Sequence, residues 1–151
     1  MKKRIPDIIS GLLILLFVYA AASKLFDYEQ SGMQLSRSPV IGDYAGVLAW
    51  LVPAMELLIA GMLTILATRL TGLYASLLLL LAFTGYIAGM LFFQEHLPCS
   101  CGGVIALLSW KQHLFFSLFF IGLSGFGIVV LKKEKKLNSQ KIFRANKKEG
   151  S

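Results

Sequence analysis

With 151 residues, 56% of them hydrophobic and only 15% charged, and a mean hydropathy of +0.70, the chain is too apolar for a water-soluble domain of its size. Its net charge of +7 does not signal nucleic acid, because the basic residues sit at the chain ends and in one short turn, never as a stripe with interleaved aromatics. Two cysteines one residue apart supply neither a disulfide framework nor a four-cysteine metal site, and are read as a local pair.

The first apolar stretch, residues 5–26, is long enough as a helix to cross a hydrocarbon core of about 30 Å. Its Lys2-Lys3-Arg4 start, the apolar run from Ile8 to Val18 and the small residues Ala20-Ala21-Ala22 also fit a cleavable signal peptide. Either way the sidedness of the remaining segments is the same. A second stretch, 46–67, carries Glu56 about halfway along and Pro53 three residues earlier, where a proline kinks a helix and frees a carbonyl. The turn Thr68–Thr71 is too short for a crossover and makes the second and third helices an antiparallel hairpin.

The third stretch, 72–93, contains Gly85-x-x-x-Gly89, and Gly61, Gly122, Gly125 and Gly127 add small residues that let helix backbones approach inside one bundle. The fourth stretch is 114–131. Helices are expected throughout, because lipid offers no partner for unsatisfied backbone groups and no stretch has the short alternation of barrel strands. The expectation is therefore an all-α integral membrane four-helix bundle over residues 1–131, followed by a solvated basic tail, 132–151, that anchors the last helix as a topology signal without a partner of its own, contact with anionic lipid being the alternative.

Twelve of the fifteen Lys and Arg fall on one side of this arrangement, leaving Lys24, Arg37 and Lys111 on the other. Positive flanks resist translocation, so both termini are expected in the cytoplasm of a bacterial inner membrane, with loops 27–45 and 94–113 facing the periplasm. Tyr28, Tyr44, Trp50 and Trp110 fall near the outer boundary, as interfacial aromatics do.

The sharpest chemical feature is His96-Leu97-Pro98-Cys99-Ser100-Cys101-Gly102-Gly103, between the third and fourth helices. On the outer side this pair meets an oxidising compartment. A Cys-x-Cys disulfide closes a small strained ring, and strained exposed disulfides have raised reduction potentials suited to labile or catalytic roles. Pro98 and the two glycines offer the turn geometry, while His96, His113 and Lys111 stand near enough in sequence to lower a thiol pKa. Two other readings stay open for the loop: a static staple, or a zinc or copper site made with His96 and His113.

Glu56 is the second feature, since an ionised carboxylate in mid-membrane is costly unless paired, neutral or facing a cavity. Lys24 is its partner by charge, yet aligning the helix ends puts the two roughly 10 Å apart in depth. The alternatives are a Lys24 that snorkels to the interface and a protonated Glu56 hydrogen-bonded within the bundle.

Ala21-Ala22-Ser23-Lys24-Leu25-Phe26-Asp27 closing the first helix, Pro53-Ala54-Met55-Glu56-Leu57 within the second and Pro98-Cys99-Ser100-Cys101-Gly102-Gly103 before the fourth resemble the MauE/DoxX group of redox-associated membrane proteins, over roughly residues 5–131. The resemblance implies a DoxX-like four-helix bundle, Lys24 and Glu56 as intramembrane polar positions, and Cys99 and Cys101 as a redox pair. MauE-type proteins are associated with maturation of a disulfide-rich periplasmic dehydrogenase subunit, and DoxX-type relatives with quinone-coupled sulfur oxidation. Membrane thiol oxidases of the DsbB and vitamin K epoxide reductase type resemble it in being quinone-linked helix bundles, but they use a Cys-x-x-Cys plus a second cysteine pair, whereas this chain has one Cys-x-Cys pair. The expected function is thiol–disulfide exchange with a periplasmic thioredoxin-like or client protein, with quinone as one electron acceptor. The alternative is a non-enzymatic maturation factor that binds a metal or a client through the same loop.

Overall fold

The computed structural model describes residues 4–29, 33, 36, 42–93 and 110–150. Four helices make up almost all of this: α1 (Ile5–Phe26), α2 (Ala45–Thr64), α3 (Arg69–Phe93) and α4 (Trp110–Glu149), with a single 3₁₀ turn, Gly42–Tyr44, leading into α2. Pro6 occupies the first turn of α1, where its missing N–H costs nothing and its fixed φ suits a helix start. All four helices are long and apolar enough to cross a membrane, and the described residues contain no strand.

The helices form a ring in which α1 packs on α2, α2 on α3, α3 on α4 and α4 back on α1. Neighbours run antiparallel. At one end Asp7 of α1 meets Arg69 at the start of α3, and Ile9 meets Gly127 of α4; at the other, Lys24 of α1 meets Glu56 of α2. The core that fills the ring is aliphatic, with Leu13, Leu63 and Leu73 wholly buried and Ile9, Phe17, Ile59 and Phe120 nearly so. The opposite faces carry exposed Leu15, Leu58, Leu78, Phe119 and Val129, the pattern of a bundle whose outer surface is solvated by lipid.

The hairpin between α2 and α3 sits earlier than the spacing predicts. α2 ends at Thr64, the turn is Ile65–Thr68, and α3 begins at Arg69. Capping explains the shift. The Thr68 hydroxyl donates to the Met62 carbonyl at 2.9 Å and Arg69 Nε donates to the Leu63 carbonyl at 3.3 Å, so the orphan carbonyls at the end of α2 are satisfied by the turn residues themselves. Gly72 then presses against Leu63: a Cβ there would stand 3.2 Å from the Leu63 backbone nitrogen and side chain.

Two further expectations change. Gly85 and Gly89 have open space where a side chain would go, as do Gly61, Gly122 and Gly125; of the glycines singled out in the sequence Gly127 is closely packed, against the side chains of Ile9 and Leu73, and it is Gly72 that meets a neighbouring backbone, at Leu63. The buried Pro53 lies inside α2, with helix on both sides of it. The stretch after Leu131 is a continuation of α4 to Glu149, because Lys, Glu, Gln and Arg are good helix formers and no glycine or proline intervenes before Gly150. Tyr28, Tyr44 and Trp50 are exposed, as membrane-interface residues would be.

Candidate functional site

The bundle interior between the Asp7–Arg69 level and the helix ends at Phe26 and Ala45 holds one opposite-charge pair. α3 from Leu70 to Phe93 and α4 from Leu114 to Leu131 contribute no charged residue. Glu56 is 2% exposed on the inner face of α2, and its Oε1 accepts a hydrogen bond from Lys24 Nζ. The depth mismatch expected from sequence is closed by side-chain direction. Cα–Cβ bonds tilt toward the N-terminus of their own helix, so on antiparallel helices Lys24 leans back into the bundle while Glu56 leans toward the end from which Lys24 comes. Two long side chains reaching toward each other span roughly the 10 Å that the backbone register leaves. Lys24 therefore does not snorkel outward.

The ammonium also stands 4.8 Å from the centroid of the Phe83 ring on α3, a cation–π contact in surroundings that make such contacts strong. Beside the pair opens a cavity of about 70 Å³ with mostly apolar walls, to which all four helices contribute: Phe17 and Lys24, Glu56, Phe83, and Ser117 with Phe120. Phe120 stacks at a tilt on Phe116, ring centres 4.8 Å apart, and edge-on against Phe119 at 5.5 Å, which fixes the α4 wall.

The site lies at the end of the bundle where α3 finishes at Phe93 and α4 begins at Trp110. The segment joining them carries His96, Cys99 and Cys101, which lie outside the described residues, as does the side chain of His113 in the first turn of α4. Of the sequence-predicted positions, the structure thus brings Lys24 and Glu56 together. Phe83, Ser117 and Phe120 were not foreseen. Ser117 carried a signal, a hydroxyl in an apolar run; the two phenylalanines carried none, since aromatic residues are scattered through every span.

The family described as methylamine utilisation protein MauE matches this chain over residues 2–130. The chain belongs to the MauE family. That match takes in all four membrane-crossing stretches and stops where the basic extension of α4 begins. Neither a curated protein nor a solved structure matches the chain significantly. A MauE-family, multi-pass membrane protein with a paired charge buried in its bundle is thereby defined.

Proposed function

We propose that this MauE-family protein performs thiol–disulfide exchange on the periplasmic face of a bacterial inner membrane, through Cys99 and Cys101. The observation that carries the reading is the pair itself, Pro98-Cys99-Ser100-Cys101-Gly102-Gly103, in the segment that connects α3 to α4. Orientation is supported by the concentration of Lys and Arg at the other end of the bundle, at Lys2, Lys3, Arg4, Arg69 and along Lys132–Lys148.

In the exchange, the Cys99–Cys101 disulfide is attacked by a thiolate of a thioredoxin-like or client protein. One cysteine leaves as thiolate and the other is held in a mixed disulfide. The partner's second thiolate then attacks that bond, which oxidises the partner by two electrons and leaves Cys99 and Cys101 as a dithiol. With one cysteine pair only, return to the disulfide needs a direct acceptor for two electrons and two protons, a quinone or a partner subunit. His96, His113 and Lys111 serve the thiolate by favouring its charged form. The bundle, braced by Lys24 and Glu56, holds the two helix ends between which the loop is strung.

Cys99→Ser and Cys101→Ser variants in native membranes test this. One of them traps a mixed disulfide that dissolves on reduction and carries a thiol protein. If neither variant traps a partner, and both leave cell function intact, the exchange reading falls. Stoichiometric zinc or copper in the purified protein, lost in Cys99→Ala, would replace it with the metal-binding alternative.

A further inference from the structure

The cavity beside Lys24 and Glu56 holds a polar group that neither the ion pair nor the helix ladders account for. Ser117 of α4 is 6% exposed and lines the cavity, and among the described residues its hydroxyl has no hydrogen-bond partner. Ser76 of α3, also buried, shows the usual arrangement, donating to the Gly72 carbonyl one turn earlier at 2.7 Å. A buried hydroxyl without a partner is costly, so a group that reaches Ser117 from the cavity gains by bonding to it. Lys24 lines the same space. Its ammonium carries three N–H donors, of which one goes to Glu56 while the group also meets the Phe83 face.

The ring of helices is loosest on one side of this space. α1 packs most extensively on α2, and α3 on α4, while α1 and α4 share a thinner seam. That seam is tight toward Gly127, where Ile9 Cγ2 comes within 3.1 Å of the position a Cβ would take. Toward the opposite end it runs past Leu16 and Ala20 of α1 and Phe116 of α4, half-buried members of the cavity wall. Their chain neighbours Leu15 and Phe115 are exposed on the outer, lipid-facing surface. The cavity thus opens sideways between α1 and α4, toward acyl chains.

Size and charge together select what enters. The enclosed volume, about 70 Å³, is roughly half the 150 Å³ that admits benzene, so it takes about three heavy atoms and no ring. The ion pair is already balanced, so a head group that brought its own charge would stand unpaired in a low-dielectric interior. A phosphate is excluded on both counts. What remains is a small neutral oxygen head, to which Lys24 donates and with which the Ser117 hydroxyl both donates and accepts. The mostly apolar mouth suits a hydrocarbon chain behind that head better than it suits water.

We propose that this cavity is a lateral binding site for a single-chain lipid with a neutral hydroxyl or carboxyl head. The head oxygen bonds to Ser117 and Lys24, and the chain leaves through the α1–α4 seam past Leu16, Ala20 and Phe116. Glu56 of α2 and Phe83 of α3 close the site from behind. A hydroxyl and a protonated carboxyl offer these partners the same chemistry, a donor and an acceptor on one small group. The site uses neither cysteine, and its occupancy does not depend on the exchange proposed for them.

The test uses the full chain in phosphatidylcholine liposomes with a trace of hexadecanol that carries a photoactivated diazirine in mid-chain, and maps the labelled residues by mass spectrometry. Label concentrates on Leu16, Ala20 and Phe116. Excess hexadecanol and hexadecanoic acid both displace it, the better competitor naming the natural head, while hexadecylphosphocholine does not. Ser117→Ala lowers the labelling about fivefold, the binding equivalent of one lost hydrogen bond, and Ser124→Ala, buried elsewhere on α4, leaves it unchanged. Ala20→Phe plugs the mouth and abolishes it. Should Ala20→Phe fail to reconstitute, Ser117→Ala decides, since it removes one atom and adds none. Label spread evenly over the exposed Leu15, Phe115 and Phe119, equal competition by hexadecylphosphocholine, or labelling indifferent to Ser117→Ala overturns the site. None of these results touches disulfide trapping at Cys99 and Cys101, so the two readings fail separately.

Discussion

The bundle carries an ion pair at each end, and α1 supplies one member to both. Lys24–Glu56 is enclosed: the carboxylate side chain is 2% exposed and a cavity opens beside it. Asp7–Arg69, at 2.5 Å, has its carboxylate side chain 59% exposed, and the interior next to it is tightly packed around Ile9, Leu63, Leu73, Gly72 and Gly127. The same chemistry thus has two physical meanings. At the exposed end charge finishes a helix, with Arg69 also capping α2 through the Leu63 carbonyl. At the enclosed end charge is kept inside a hydrocarbon environment, where it is tolerated only as a pair.

The largest contrast is expected on breaking the pairs. Glu56→Ala leaves the Lys24 ammonium, among the described residues, with the Phe83 face alone and costs about 3–5 kcal/mol, the usual penalty for stranding one member of a buried pair. The double variant Lys24→Met with Glu56→Met removes both charges and keeps the volume, and recovers most of that loss. Reversible unfolding in mixed detergent measures both. A double variant as unstable as Glu56→Ala would mean that the pair itself, and not the avoidance of a lone charge, holds the site together.

The second contrast concerns space. Gly127→Val drives branched carbons into Ile9, whose Cγ2 is 3.1 Å from the Cβ position, and costs about 1–3 kcal/mol by overpacking. Ala20→Val adds two carbons beside the cavity, one fewer than Gly127→Val adds, and shifts stability by less than about 0.5 kcal/mol. Because lipid is as apolar as the core, packing rather than transfer from water governs both values. Equal costs at the two positions would show that the cavity end is as tightly filled as the other.

The fold was legible because its determinants are one-dimensional. Runs of about twenty apolar residues name the spans, and the brevity of the link after α2 dictates a hairpin. Boundaries were less legible, since Thr68 and Arg69 terminate α2 by folding back onto Met62 and Leu63, a contact between residues that no periodicity reports. Glycine placement misled for a related reason. Gly85-x-x-x-Gly89 has the spacing of a packing motif, but only the rotation of α3 in the bundle decides whether that face meets a neighbour, and it meets none among the described residues. Lys24 and Glu56 stood out by charge alone. What sequence withheld was the cavity, because Phe17, Phe83 and Phe120 come from three helices and converge only when the ring closes.

At the exposed pair the smallest effect is expected. Arg69→Gln loses the contact to Asp7, which is worth about 0.2–1 kcal/mol at a solvent-exposed position and is further reduced by salt. It also loses the Nε bond to the Leu63 carbonyl, a chain end that Thr68 continues to cap through Met62. Asp7→Asn removes only the first of these. If the two variants differ by more than about 0.5 kcal/mol in unfolding at low salt, and the difference persists when salt is raised, the guanidinium acts at this end chiefly as a cap. A charge contact would fade with salt in both variants alike, so persistence in Arg69→Gln alone separates hydrogen bonding to the backbone from attraction between side chains.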